Sequence, residues 1–141
     1  MTEKSCGTVL FTKKDGEVYY LLIKSTNMSG RSTVGFPKGH VEEGESETET
    51  ALRETWEETS IRAEIVGDFR REVNYTFGRG RKKTVIYFLA RFSGQTPKHN
   101  PGFEVRKHYL LPLDQACEAL TFENTKTILR EAEEYIRNNN L

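Results

Sequence analysis

The chain has 141 residues, of which 35% are hydrophobic and 30% are charged. This length and balance suit one ordinary globular domain, which we expect to span residues 1–141. Lys and Arg together number 21, Asp and Glu together also number 21, and the formal net charge is zero. The composition therefore argues against an extended surface for nucleic acid and against binding to an anionic membrane.

The two cysteines, Cys6 and Cys117, lie far apart in the sequence and share no metal-ligand spacing. We expect them to be two buried, reduced thiols. The N-terminal segment lacks the charged-then-apolar layout of a signal peptide, and apolar runs such as VIYFLA are too short to span a bilayer. These features predict a cytoplasmic protein without a membrane segment.

The first part of the chain predicts a β-hairpin followed by a loop. CGTVLFT (6–12) and VYYLLIKS (18–25) are rich in β-branched and aromatic residues, and Asp15-Gly16 between them is a turn signal. The segment STNMSGRSTVG (25–35) is polar and contains glycine, which is typical of a loop.

A helix is predicted after the segment FPKGH. Ser46, followed three residues later by Glu49, forms a capping box, and early glutamates suit the positive end of a helix. The run ETETALRETWEET should continue the helix to about Thr59.

The rest of the chain predicts strands followed by a helical tail. Residues 61–77 are mostly strand-like, with Gly67 as a bend. The basic turn GRGRKK leads into the strand 84–92. EVRKHYLLPL predicts a short strand, and the tail from Leu113 has helical spacing of its apolar residues. This order predicts an α/β fold with a mixed sheet and helices packed against it.

The predicted first helix carries an unusual concentration of acid. Glu54, Glu57 and Glu58 occupy positions i, i+3 and i+4 and share one face, in the final turns where the helix dipole disfavours negative charge. A hard divalent cation such as Mg²⁺ would offset their repulsion. Arg53, four residues before Glu57, can orient a carboxylate. A solvated acidic face is the alternative that glutamate content alone leaves open.

The spacing of these residues resembles the box of the Nudix hydrolases, G-x5-E-x7-R-E-U-x-E-E-x-G-U, in which U is aliphatic. Two positions depart from the pattern: Thr55 stands at the first U, and Ser60 replaces the last glycine. The positions that match are Gly39, Glu45, Arg53, Glu54, Glu57 and Glu58. The resemblance implies the Nudix fold, a mixed sheet sandwiched between helices (α/β/α). It also implies Mg²⁺- or Mn²⁺-dependent hydrolysis of a nucleoside diphosphate linked to another moiety.

Further segments, FPKGHVEEGE, RREVNY and KKTVIYFLA, are similar to those of the asymmetrical diadenosine tetraphosphate hydrolases. This similarity implies cleavage of diadenosine tetraphosphate to ATP and AMP. Other substrates of the superfamily stay open: ADP-ribose, a noncanonical triphosphate, an RNA 5′ end or an inositol pyrophosphate. A Nudix-fold binding module that has lost catalysis is a further alternative, which the intact box glutamates oppose.

The resemblance also implies roles at the metal site. Glu54, Glu57 and Glu58 are the implied metal ligands, and Glu54 is also a candidate general base. The carbonyl of Gly39 is a further candidate ligand. Glu104, in a loop outside the box, is either another ligand or the base, or else an ordinary loop carboxylate.

Positive charge and an aromatic surface are expected to hold a small nucleotide substrate. Tyr75 could bond a phosphate or simply pack within its strand, and Phe122 could stack on a base or belong to the core. Of the three basic turn residues besides Lys83, we expect two to be simply solvated. The implied substrate contacts are Lys38, Lys83, Tyr75 and Phe122, and the three turn residues are Arg79, Arg81 and Lys82.

Overall fold

The computed structural model describes residues 2–26, 29–98 and 105–141, and this part of the chain is arranged around a seven-stranded sheet. The strands are β1 (Thr2–Lys14), β2 (Glu17–Thr26), β3 (Ser32–Gly35), β4 (Lys38–His40), β5 (Glu64–Phe77), β6 (Arg81–Arg91) and β7 (Val105–Leu111). The helices are α1 (Glu47–Thr59), α2 (Leu113–Ala119) and α3 (Glu123–Asn138).

The sheet is mixed, as predicted. Its main path runs β3-β2-β1-β6-β5, while β4 pairs with β1 and β7 pairs with β2. The central strands β1 and β6 are parallel, and the other pairs are antiparallel. The β1–β2 hairpin closes at Asp15 and Gly16, which both have positive φ, 52° and 81°. This is the backbone that an Asp-Gly hairpin turn requires, so the predicted turn is confirmed.

Alternate residues of β6 show how the helices cover the sheet. Because successive side chains of a strand point to opposite faces, Ile86 packs with Ala51 of α1, whereas Tyr87 packs with Leu129 of α3. The sheet therefore lies between α1 and the α2–α3 pair, and the α/β/α arrangement is confirmed.

The structure corrects two predictions about secondary structure, and one contact explains both. The predicted loop 25–35 contains β3, and the predicted helical tail is two helices, because Leu120, at the C-terminal cap of α2, has an extended backbone. At this break, Thr121 donates its N–H to the carbonyl of Val34 in β3 (3.1 Å) and accepts the Val34 N–H at its Oγ1 (2.8 Å). The break in the tail thus covers the edge of a strand that has little intrinsic strand signal.

Smaller corrections concern strand ends and one cysteine. The strand β1 starts at Thr2 and β6 starts at Arg81, so much of the predicted basic turn is strand. Both cysteines are free, as expected, but Cys117 is half-buried and only Cys6 of the two is fully buried. Burial raises the pKa of the Cys6 thiol to about 11. None of the helices in the described ranges could cross a membrane.

Both ends of α1 lie where the sequence predicts them, at the N-terminal cap Ser46 and the C-terminal cap Ser60. Ser46 Oγ accepts the Glu49 N–H (3.1 Å), and the Glu49 carboxylate accepts the Ser46 N–H (2.8 Å), which confirms the capping box. At the other end, Ser60 has the left-handed conformation, with φ 61°. Ser60 therefore adopts the geometry for which glycine is normally used.

Replacing Ser60 with glycine should raise the free energy of unfolding by about 1 kcal/mol, because left-handed geometry costs an L-residue roughly 1–2 kcal/mol and costs glycine little. Urea denaturation measures the change. Ser60→Ala is the matched control, since it removes the hydroxyl that lies 3.5 Å from the Lys98 carbonyl oxygen but keeps Cβ. A glycine variant no more stable than the alanine variant would contradict the expectation.

Candidate active site

The guanidinium of Arg53 contacts two carboxylates of α1, Glu54 and Glu57, and one from the loop before it, Glu45. Its Nε contacts Glu45 Oε2 at 2.7 Å, and its Nη1 lies 2.8 Å from Glu54 Oε2 and 3.1 Å from both Glu57 oxygens. Its Nη2 donates to the His40 carbonyl oxygen at 3.0 Å. An arginine can do this because its planar group carries five donors. The structure thus places Arg53 against Glu57, as their spacing predicts.

Glu45 anchors the loop before α1. Besides Arg53, its carboxylate accepts hydrogen bonds from Thr50 Oγ1 (2.8 Å) and from the Glu42 N–H (3.0 Å). The Arg53 guanidinium is the main reason why the pKa of Glu45 is lowered to about 2. These contacts give Glu45 a structural role, since they tie the loop to the first turns of α1.

Gly39 makes room for Glu54. A Cβ atom at Gly39 would lie only 2.0 Å from Glu54 Cδ, so any larger residue would have to displace the carboxylate. Gly39 is held in place by β4, where it pairs with Cys6 of β1. The absence of a side chain at Gly39 therefore allows the Glu54 carboxylate to lie directly against the backbone of β4.

Glu58 turns away from Arg53 towards a different partner. Its Oε1 accepts the Lys38 N–H at 2.8 Å, and the side chain lines a cavity on the α3 side of the sheet. Burial is the largest cause of the raised pKa of Glu58, which is about 8, and the negative charge of Glu54 adds to it. Burial likewise raises the pKa of Glu54. Two partly buried carboxylates near each other favour a site that positive charge would stabilise.

The donors at this end of α1 fit a hard divalent cation. No three acidic, His or Cys side chains in the described part of the chain are grouped as a finished metal cage. Arg53 bridges Glu54 and Glu57, while Glu58 binds a backbone N–H. Even so, three carboxylates from adjacent turns beside an open glycine backbone are the oxygen donors that Mg²⁺ or Mn²⁺ prefers. Glu104, the other predicted ligand or base, lies outside the described residues.

His108 is a residue at this site that the sequence did not reveal. Its Nε2 lies 2.8 Å from the carbonyl oxygen of Glu58, and since a carbonyl only accepts, this nitrogen donates. The Lys98 N–H similarly donates to the Thr59 carbonyl (2.9 Å). These donors satisfy the last carbonyls of a helix that has no basic residue in its last turn. A lone histidine in a strand carries no spacing signal, which is why sequence reasoning missed it.

A cavity of about 610 Å³ adjoins Glu58. The ring of Phe36 packs edge-on against Tyr87, with centroids 5.2 Å apart, and both residues line the cavity. All four substrate contacts implied by the resemblance line it as well: Lys38, Lys83, Tyr75 and Phe122.

The surroundings of these residues bear on the alternatives left open by the sequence. Phe122 is 44% exposed at the start of α3, so the core alternative is wrong. Tyr75 is half-buried against the core and also faces the cavity. Burial, and then the charge of Lys83, lowers the pKa of Lys38. Arg81 contacts Glu3 at 2.9 Å, so it is not simply solvated.

Comparison with known proteins identifies the class. The chain matches the model of the NUDIX domain family over residues 1–134 and therefore belongs to the Nudix family. It is 35% identical over 145 aligned residues to the asymmetrical bis(5′-nucleosyl)-tetraphosphatase of Rattus norvegicus, covering 96% of this chain and 97% of the relative. The predicted Nudix hydrolase is thus confirmed.

Solved structures agree with this assignment. A binary complex of the Caenorhabditis elegans Ap4A hydrolase superposes with a TM-score of 0.84 at 26% identity, covering 96% of this chain and 98% of the other. The NUDIX domain of Shewanella oneidensis NrtR, complexed with ADP ribose, superposes with a TM-score of 0.77 at 22% identity, covering 96% and 89%. The second likeness shows the fold alone.

Replacing Gly39 with alanine should lower hydrolase activity roughly 10–100-fold, because the new Cβ displaces the Glu54 carboxylate by an ångström or more. Steady-state rates over a range of Mg²⁺ concentrations measure the loss, and thermal unfolding checks that the fold persists. Gly35→Ala is the control, since a Cβ there meets nothing within 4 Å although Gly35 also borders the cavity. Equal rates for the two variants would contradict this account of Gly39.

Replacing Glu45 with glutamine should make stability less dependent on pH in acid. The folded-state pKa of about 2 lies below the ordinary value, so the Glu45 contribution is complete above pH ~4.3 and is lost as the pH falls towards 2. Urea unfolding at pH 7, 4 and 3 should therefore show the gap between wild type and Glu45→Gln closing. Glu43→Gln removes the same charge from an exposed position in the same loop and serves as the comparison. A gap that is constant with pH would disprove the assignment.

Proposed function

We propose that this Nudix hydrolase cleaves dinucleoside polyphosphates, and that it converts diadenosine tetraphosphate and water to ATP and AMP with Mg²⁺. The observation that carries the proposal is the cavity itself. Glu58, from the acidic end of α1, lines this cavity together with two lysines, Lys38 and Lys83. The exposed aromatic ring of Phe122 also lines it. The name and the 35% identity of the Rattus norvegicus relative support the same substrate class.

Glu54, Glu57 and Glu58, with the Gly39 carbonyl, would hold Mg²⁺, and Mn²⁺ suits the same oxygen donors. When bound, such an ion neutralises phosphate oxygens and lowers the pKa of coordinated water. Arg53 keeps Glu54 and Glu57 in a fixed orientation through its shared Nη1, so the carboxylates do not have to be ordered when substrate arrives.

Side chains of this protein supply the general base and the positive charges that bind the phosphates. We assign the general base to Glu54, because its carboxylate lies against the Gly39 backbone within the acidic cluster and would need little movement to take a proton from an attacking water. Glu104 is the alternative base. Lys38 and Lys83 bind the remaining phosphates, and a substrate anion would offset the desolvation that lowers the pKa of the half-buried Lys38.

Phe122 supplies the surface for a base. An aromatic ring that is 44% exposed beside a cavity can stack on adenine, and one such contact is worth about 1–3 kcal/mol. The charge balance of the cavity also discriminates between substrates. Among the described residues that line it, the two lysines are matched by the carboxylates Glu3 and Glu58, and this balance does not favour the strongly basic pocket that an inositol pyrophosphate would need.

Wild-type protein incubated with Mg²⁺ and a panel of diphosphate compounds should yield ATP and AMP from diadenosine tetraphosphate. Glu57→Gln should lower kcat by roughly 100-fold or more, because it removes a charged ligand at the reacting centre. Chromatographic product analysis measures both results.

Glu49→Gln is the matched control for this test. It makes the same change in the same helix, and glutamine preserves the capping box. We expect it to retain wild-type activity. Full activity in Glu57→Gln would defeat the role of that residue, whereas preferential cleavage of ADP-ribose or an RNA 5′ end would defeat the substrate assignment.

A further inference from the structure

Asn124, the second residue of α3, contacts a residue of the cavity. Its Nδ2 donates to the hydroxyl oxygen of Tyr75 at 2.8 Å. Its Oδ1 is buried and has no hydrogen-bond partner among the described residues. Within the described part of the chain, the side chain thus pairs its amide nitrogen and leaves its amide oxygen unpaired.

This arrangement is costly if its purpose is only stability. A buried amide oxygen without a donor is destabilising, and an apolar side chain of similar shape would avoid that loss. Rotating the amide by 180° does not help, since Oδ1 would then accept from Tyr75 and Nδ2 would be left unpaired. Neither orientation pairs both the oxygen and the nitrogen of the amide. The stability of the fold therefore does not explain Asn124, whereas its hydrogen bond to Tyr75 can.

The hydrogen bond fixes the direction of the Tyr75 hydroxyl. When Nδ2 donates to the oxygen, the hydroxyl proton stays available for another acceptor. Tyr75 lines the cavity, and its partner across the β5–β6 ladder is Lys83. The Tyr75 hydroxyl therefore lines the same cavity as Lys38 and Lys83. Phosphate oxygens, which only accept hydrogen bonds, would bind there.

We infer that Asn124 is a positioning residue, which holds the Tyr75 hydroxyl as a donor to a phosphate oxygen of the substrate. In the opposite amide orientation, the Tyr75 hydroxyl would donate its proton to Asn124 Oδ1 and would turn its oxygen lone pairs towards the phosphate. Binding of the polyphosphate therefore favours the orientation in which Nδ2 donates to Tyr75. The inference rests on the proposed function, since it requires a substrate that carries phosphates.

The test is a double-mutant cycle of Tyr75→Phe and Asn124→Asp, with kcat/KM for diadenosine tetraphosphate as the readout. A carboxylate at position 124 only accepts, so it forces Tyr75 to donate to it and not to the substrate. Each single variant should lower kcat/KM about tenfold, as expected for one charge-assisted hydrogen bond. The double variant should match Tyr75→Phe alone.

A general charge effect gives a different result. If the carboxylate introduced by Asn124→Asp acts only by repelling phosphate, it acts equally without the Tyr75 hydroxyl, and the double variant shows the product of the two single losses. That outcome would overturn the inference. Asn138→Asp, at the exposed far end of α3, is the matched control and should leave kcat/KM unchanged.

Asn124→Leu separates positioning from stability. It removes the unsatisfied oxygen, so unfolding should require as much urea as for wild type or more, while kcat/KM falls about tenfold. Wild-type kcat/KM in Asn124→Leu would contradict the inference. A wild-type protein that fails to cleave diadenosine tetraphosphate would instead refute the proposed function, so the two failures are distinguishable.

Discussion

The site depends on the Arg53 guanidinium. Its three nitrogens hold Glu45, Glu54, Glu57 and the carbonyl of His40. Without a cation at that point, the carboxylates would repel one another at the end of a helix whose dipole already opposes them. The same contacts tie the loop before α1 to the helix, so the acidic cluster and the backbone around it are ordered by one side chain.

Glu58 connects this cluster to the opposite side of the sheet. While its neighbours face Arg53, its carboxylate binds the Lys38 N–H and borders the cavity below α3. The strand β4 makes this possible, since three residues carry both the amide that binds Glu58 and the glycine against which Glu54 lies. A very short strand thus links the acidic helix with the substrate cavity.

Local chemistry made part of this structure readable from the sequence. The capping box at Ser46, the Asp15-Gly16 turn and the β-branched and aromatic run of β6 are signals within a few residues, and the box spacing identified Arg53 and its carboxylates. The strand β3 and the break before α3 have no such signal, because they are stabilised by Thr121 and Val34, which lie 87 residues apart. The same reason hid His108 and Asn124, whose partners belong to other elements. The exposure of Phe122 also follows from the position of the break and not from its own hydrophobicity.

The pairing of Thr121 with Val34 has a consequence for the shape of the cavity. Val34 and Phe122, the residue after Thr121, both line the cavity. One main-chain hydrogen bond and one bond to the Thr121 hydroxyl therefore hold these two lining segments together. Substitution of other lining side chains can therefore change which chemical groups the cavity binds, while the spacing of these two segments stays the same.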